Sequence, residues 1–192
     1  MILKNIFDYI IAIILLIFIG WIIVFLVIIA TIDMGKWGIF SQQRVGRNAK
    51  IFNLYKIRTM KDDNAEHSHI TVQNDQRITK IGAFLRNKKL DELPQLFNII
   101  LGQMSLVGPR PDVIGYADKL EGKDRIILTV KPGITCPATL KYRNEEEILA
   151  SVSDPINYNN TVIWPEKVRL NREYVENWSF KNDIKILLQT IL

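Results

Sequence analysis

The chain opens with one long apolar block and continues in short stretches of mixed polarity. From Tyr9 to Ile32 no charged residue interrupts "YIIAIILLIFIGWIIVFLVIIATI". As a helix this stretch would extend roughly 36 Å, enough to cross or deeply enter a hydrocarbon core of about 30 Å. Residues 1–32 therefore read as a membrane-inserted helix. The run is too long for the apolar core of a cleaved signal peptide, and no small-residue cleavage pattern follows it. Residues 33–41 form a Gly- and aromatic-rich connector in which Trp37 and Phe40 suit the membrane–water interface.

Further on, the period of the apolar positions changes. "AKIFNLYKIRTM" (49–60) alternates weakly, which predicts a strand. The polar stretch 61–76 predicts a loop. "RITKIGAFLRNK" (77–88) predicts a short helix or turn carrying Arg77 and Arg86. In "KLDELPQLFNIILGQMSLVGPRP" (89–111), Leu93, Leu96, Phe97, Ile100 and Leu101 recur at the spacing of one helix face. Pro94 suits the first turn of that helix and Gly102 its stop. "SLVGPRPD" must then be extended, because a residue before proline is pushed out of the helical region. Residues 114–130 predict an amphipathic helix, and 130–142 a loop and strand. "EEEILASV", "WPEKVRLNREYVENW" and "FKNDIKILLQTIL" read as helices, the last with Ile184, Leu187, Leu188 and Ile191 on one side. The expected class is α/β, rich in helix and poor in sheet. The expected organisation is the membrane helix (1–32) followed by a small membrane-associated domain (33–192) with surface amphipathic helices.

Charge gives this picture an orientation. Residues 33–61 hold seven basic side chains (Lys36, Arg44, Arg47, Lys50, Lys56, Arg58, Lys61) against one acid, Asp33. The excess of positive charge beside the apolar run places this side in the cytoplasm. The single cysteine, Cys136, cannot form an internal disulfide, which fits a reducing compartment. A net charge of +5 favours anionic partners: phosphates, anionic lipid or nucleic acid. No P-loop, G-x-S-x-G or GxGxxG motif is present. His67 and His69 lack a Cys or Glu at zinc-binding spacing.

The candidate chemistry gathers around Asp91 and Glu92. At the start of a helix a carboxylate is stabilised as an anion by the unsatisfied N–H groups there. It can serve as an N-cap worth about 1 kcal/mol, or as a magnesium ligand or carboxylate nucleophile of low pKa. The neighbouring cations favour the second use: Arg86 lies five residues upstream, Lys56 and Arg58 lie on the preceding strand, and Arg110 lies just past the helix. Acid and guanidinium groups together suit magnesium-dependent phosphoryl transfer, in which cations neutralise charge moving between phosphate oxygens. Arg110 is held between two prolines, so it loses little freedom on gripping a phosphate; it also reads as a surface turn residue. Arg44, Arg47 and Lys50 suit lipid headgroups as well as they suit a substrate.

"FSQQRVGRNAKIFNLYKIRTM", "KLDELPQLFNIILGQMSLVGPRP" and "VKPGIT" resemble the bacterial sugar transferases, the monotopic polyprenyl-phosphate phosphoglycosyl transferases. The match runs in order over nearly the whole chain. The resemblance implies transfer of a sugar-1-phosphate from a UDP-sugar to undecaprenyl phosphate, with release of UMP. This is the initiating membrane step of capsule, O-antigen or glycoprotein glycan synthesis. It implies that Asp91 is the nucleophile, forming an aspartyl-phosphosugar intermediate, and that Glu92 assists with magnesium or with the proton. Mg2+ would be held by Asp91 and Glu92. Lys56, Arg58, Arg86, Arg110 and, on a looser match, Arg143 would bind substrate phosphate. Membrane lipid is a partner, nucleic acid is not, a homo-oligomer is allowed, and downstream glycosyltransferases would use the product. The implied location is the bacterial inner membrane with the catalytic domain on its cytoplasmic face, the helix bending back into the same leaflet.

Two departures from the family pattern are visible. Where the family breaks its membrane helix at Ser-Pro, this chain has Gly20-Trp21, which permits a bend without forcing one. Where P-G-I-T-G is common, it has Cys136-Pro137, which suggests a subgroup with its own sugar. Two rival functions stand beside this reading. One is a membrane-anchored basic module that binds anionic lipid or nucleic acid; the other is a transferase that passes the sugar alone and releases UDP. The adjacent acids argue against the first, since they would repel its ligand.

Overall fold

The computed structural model describes residues 2–61 and 75–191. Its longest element is α1 (Ile2–Met34), which contains the whole apolar block. Among the described residues it is the one helix long and apolar enough to cross a membrane. After a turn at Gly35 come β1 (Ile39–Val45) and β2 (Ile51–Ile57), which pair as a two-stranded sheet. The loop expected over 61–76, with His67 and His69, lies for the most part outside the described residues. The chain resumes with α2 (Lys80–Asn87), α3 (Gln95–Ile100) and β3 (Ser105–Val107). It then runs through β4 (Gly133–Thr135), α4 (Pro137–Lys141), α5 (Glu145–Ala150) and α6 (Pro155–Tyr158), and ends in α7 (Trp164–Glu176) and α8 (Phe180–Ile191). The architecture is helix-rich with two small sheets, in line with the expected class.

The described residues fall into two compact units. The first holds residues 2–43, 53–61 and 75–104, and the second holds 44–52 and 105–191. In the first unit the core joins Ile23, Leu26, Val27 and Ala30 of α1 to Ile57 of β2 and Leu85 of α2, with Leu90 and Leu93 packed against it. The N-terminal half of α1 is also held, since Tyr9 Oη donates to the carbonyl of Ile100 at 2.5 Å. Lys4 and Asp8, one helical turn apart, are both buried and face each other at 3.8 Å. Thr79 caps α2 by accepting from the Gly82 N–H, and its hydroxyl reaches Asp33 at 2.5 Å.

α3 is short and its outer face is apolar. Phe97 and Leu101 are 45% and 58% exposed, whereas Gln95 and Asn98 are buried. The expected apolar stripe is there, but only part of it points inward: Leu96 is buried, and Phe97 and Leu101 face out. The inner face mixes apolar Leu96 and Ile99 with polar Gln95 and Asn98, and Asn98 ties α3 to β2. Its Nδ2 donates to the Asn53 carbonyl and to Gln103 Oε1, each at 2.7 Å, and its Oδ1 accepts from the Tyr55 N–H at 3.1 Å.

In the second unit β3 and β4 run parallel, with Ser105 opposite Gly133 and Val107 opposite Thr135. A Cβ on Gly133 would meet the Gly108 nitrogen at 2.1 Å, so glycine is needed for the two strands to approach. The helix expected over 114–130 does not form. Short 3₁₀ turns at Ala117–Lys119 and Gly122–Thr129 take its place. Gly115 and Gly122 adopt φ of +102° and +56°, left-handed values at which an α-helix cannot continue. α8 forms as expected. It turns Asp183 and Ile186 inward and leaves Leu188 more than half exposed. Asp183 sets this rotation by accepting from Tyr174 Oη at 2.6 Å and Trp178 Nε1 at 3.0 Å.

The Asn98 bonds give the fold a direct test. Asn98→Leu keeps the volume but removes the partner of the Tyr55 N–H and of the Asn53 carbonyl. It should destabilise the first unit by about 1–3 kcal/mol, the order expected for part-buried hydrogen bonds lost. Thermal melts of the detergent-solubilised variant would register this loss; an unchanged melting temperature would mean that other groups take over the bonds.

Candidate functional site

In the first unit the chain from Leu90 to Ile100 follows a nearly continuous right-handed path, a 3₁₀ turn (Leu90–Glu92) leading through Pro94 into α3. Residues four and three apart on such a path share a face. Asp91, Gln95 and Asn98 are therefore its inward polar row, and all three are buried. The turn begins from Lys89 in a left-handed conformation (φ 55°, ψ 20°). That conformation costs a non-glycine residue on the order of 1 kcal/mol. It swings the chain out of α2 and sets Asp91 inside rather than at the surface.

This arrangement corrects one expectation. Asp91 does not sit at the first turn of α3, where helix N–H groups would stabilise its charge. It lies on the preceding 3₁₀ turn and is 5% exposed. Burial pushes its pKa above the usual carboxylate value, and the charge of Glu92 adds to the rise; Lys56, Arg86 and Lys89 pull the other way. Its Oδ1 is buried and has no hydrogen-bond partner among the described residues. Glu92 is half-buried and bonded to Lys56, with Nζ to Oε1 at 3.1 Å. The structure thus brings Lys56, Asp91 and Glu92 together, with the charge of Arg86 acting on Asp91.

The other basic residues expected here have their own partners. Arg58 donates through Nε to the Trp37 carbonyl at 3.1 Å and lies 5.4 Å from the centre of the Phe40 ring. Arg86 directs Nη1 at the Met60 sulfur, 3.6 Å away. The dyad offers hard oxygen donors, one of them the unpartnered Asp91 Oδ1. That suits magnesium, which takes one or two carboxylates and completes its shell with water and substrate phosphate. Among the described residues no group of three or more His, Cys, Asp or Glu side chains is placed to hold a metal.

In the second unit Arg110 lies on the loop after β3. The Gly133 N–H donates to the Pro109 carbonyl and the Gly108 N–H to the Thr135 carbonyl, which fixes the start of that loop to β4. Its far end is tied to the tip of the β1–β2 hairpin. The Val45 N–H donates to the Asp112 carbonyl at 2.9 Å, and Arg44 Nη1 to the Pro111 carbonyl at 3.3 Å. Arg44, for which lipid and substrate were equally good partners in the sequence, is here a brace for the proline loop. Arg110 and Asp112 line a shallow cleft whose apolar wall includes Val45, Ala117, Ile127 and Leu128. Burial pushes the Asp112 carboxyl up to about 7, against the opposing pull of Lys167, Arg44 and Arg110. Arg143 donates to the Gln189 carbonyl near the end of α8.

Sequence reasoning did not single out Asp112 or Gln95. Both stand inside recognisable motifs, "GPRPD" and "LDELPQ"; what distinguishes them is the burial of Gln95 and the raised carboxyl of Asp112, which depend on contacts distant in sequence.

A model of the bacterial sugar transferase family matches residues 1–192. The chain is 38% identical over 191 residues to the uncharacterized sugar transferase EpsL of Bacillus subtilis, covering 100% of this chain and 86% of EpsL. It is 34% identical over 204 residues to the undecaprenyl-phosphate galactose phosphotransferase of Salmonella typhimurium, covering 98% of this chain and 39% of that protein. It is 34% identical over 198 residues to the UDP-glucose:undecaprenyl-phosphate glucose-1-phosphate transferase of Klebsiella pneumoniae, covering 100% and 40%. The chain therefore spans most of EpsL and well under half of the two longer relatives.

The Asp112 carboxyl makes stability depend on pH with a definite sign. Between its ordinary value of 3.8 and about 7, the folded chain keeps a proton that the unfolded chain has lost. This group therefore lowers stability as pH rises through that window and contributes a constant penalty above it. Asp112→Asn removes the penalty. Its melting temperature should climb relative to the unsubstituted protein from about pH 4 to pH 7, then run parallel. A difference that stays constant across the window would place the carboxyl in water.

Proposed function

Because the chain belongs to the bacterial sugar transferase family, we propose that it transfers a sugar-1-phosphate from a UDP-sugar to undecaprenyl phosphate. The observation that carries this reading is the buried Asp91 beside the half-buried Glu92, with Lys56 bonded to Glu92. Two of the relatives above, those of Salmonella typhimurium and Klebsiella pneumoniae, are named for undecaprenyl phosphate, and the second also for UDP-glucose, which supports the substrate classes.

The steps follow from the dyad. An oxygen of Asp91 attacks the sugar-bearing phosphorus of the UDP-sugar. The bond from that phosphorus to the bridging oxygen breaks, and UMP leaves with the electron pair. Undecaprenyl phosphate then attacks the aspartyl phosphosugar, and the Asp91 carboxylate is returned as the P–O bond to it breaks. Asp91 must be ionised to attack, and burial opposes that ionisation. Lys56, Arg86 and Lys89 favour it by their charge, and Glu92, itself paired with Lys56, keeps the lysine in place. Mg2+ held by Asp91 and Glu92 would supply further positive charge against the phosphate oxygens. Arg58, Arg86, Arg110 and Arg143 remain the guanidinium groups proposed to hold phosphate, with Arg110 the most restricted by its flanking prolines.

The membrane reading is part of the same proposal. The exposed face of α1, with Ile17, Phe18, Trp21, Val24, Phe25 and Ile28, is far more apolar than a surface facing water needs to be. Phe84 of α2 and Phe97 and Leu101 of α3 extend the apolar exposure of this unit. A straight helix would place Tyr9 about 37 Å from Met34, beyond the far edge of a core of about 30 Å. The bond from Tyr9 to Ile100 supports a helix that stays with its own unit on the cytoplasmic face. Gly20 permits a bend in that helix without forcing one. The product, a lipid-linked diphosphosugar, would pass to glycosyltransferases that extend it.

The covalent step is open to direct test. With UDP-sugar and magnesium but no lipid, the enzyme should release about one UMP per active site and gain a sugar phosphate on the Asp91 peptide. Asp91→Asn keeps the shape but is neutral and a far weaker nucleophile. It should fold and lose both the burst and the adduct. Release of UMP only when lipid is present would favour direct attack by the lipid phosphate, and sustained turnover by the Asn variant would reduce Asp91 to a structural group.

A further inference from the structure

Two amides stand on the inner face of α3, and they differ in how they are used. Asn98 is fully buried and its Nδ2 and Oδ1 are engaged in three hydrogen bonds. Gln95, three residues earlier, is 2% exposed, yet its Nε2 has no hydrogen-bond partner among the described residues. Four residues before Gln95 on the same right-handed path, Asp91 Oδ1 is likewise buried without a partner. One of these groups is a donor and the other an acceptor, and they do not satisfy each other. An amide left in the interior without a partner costs about 1–3 kcal/mol. An apolar side chain of the same size would remove that cost, so packing alone gives no reason for a glutamine here.

We propose that Gln95 is a substrate-contacting residue whose side-chain N–H donates to an oxygen of the phosphoryl group handled at Asp91. This rests on the reaction assigned above and adds a residue to its site. The amide is neutral, so it can bind a phosphoryl oxygen close to Asp91 without neutralising the carboxylate as another cation would. Burial restricts the side chain, and its neighbour Asn98 holds the backbone of α3 against β2.

Gln95→Met separates this role from packing, because methionine keeps the length and loses the donor. The variant should melt at or above the temperature of the unsubstituted protein, since a buried unpaired N–H has been removed. Its UMP burst without lipid should slow by tenfold or more. Gln95→Glu, which replaces the donor with an anion, should slow it further. The stabilisation of each protein by added UDP-sugar provides a second readout, and it should fall in Gln95→Met. A burst rate and a nucleotide-sugar stabilisation both equal to those of the unsubstituted protein would overturn the contact. Loss of activity in step with a lowered melting temperature would make Gln95 a packing residue and overturn it too. If the unsubstituted protein releases no UMP from any UDP-sugar, the assigned reaction fails instead. The contact is then still decided by the stabilisation readout: an equal shift in Gln95→Met refutes it.

Discussion

A carboxylate withdrawn from water is stable as an anion only where fixed positive charge replaces the lost hydration. The first unit is arranged around that constraint at Asp91. Lys56 on β2, Arg86 at the end of α2 and Lys89 in its left-handed turn each act on the carboxyl, and Glu92 takes the direct bond to Lys56. The elements that carry these groups are joined through the same core. Ile57 next to Lys56, Leu85 next to Arg86, and Leu90 next to Asp91 all pack with the C-terminal half of α1. Moving any one of them would shift a charge relative to the carboxyl. The long apolar helix is thus also the wall against which the dyad is set.

The orientation of α3 follows from the same constraint. A short helix in a water-soluble protein turns its apolar side inward. Here the inner row is Asp91, Gln95 and Asn98, while Phe97 and Leu101 face out. Leu96 and Ile99 are also buried, so what needs an apolar exterior is the exposed Phe97 and Leu101, and the exposed apolar face of α1 in the same unit is consistent with a lipid environment. The polar inner row can then be given over to chemistry and to the Asn98 bonds that hold α3 to β2.

Much of this was legible in the sequence, and the remainder has identifiable causes. The uninterrupted run from Tyr9 to Ile32 announced α1, and the weak alternation of residues 49–60 announced β2. The spacing of Leu93, Leu96, Phe97 and Ile100 pointed to a helix, but a period carries no information about which side is inward. Gly115 and Gly122 were passed over in the amphipathic pattern of 114–130, although their left-handed backbone breaks it. β1 was missed because its polar residues, Ser41, Gln42 and Gln43, mask a strand that exists through pairing with β2. Asp91 and Glu92 were recognisable as a candidate pair from their motif and their cationic neighbours. The sense of the Asp91 pKa shift was not, because a local rule places a carboxylate at a helix start in a stabilising field, whereas the turn at Lys89 carries this one into the interior.

The central claim is that Asp91 is a buried carboxylate kept reactive by the charge of Lys56, and the titration of its carboxyl in the magnesium-free protein tests it most directly. Followed by carbon NMR, Asp91 should show a titration limb whose midpoint lies above the ordinary aspartate range, because burial raises its pKa. In Lys56→Met that midpoint should move to still higher pH, since the largest opposing charge has been removed. A limb at the ordinary aspartate value, or one that stays in place when Lys56 is neutralised, would contradict the account.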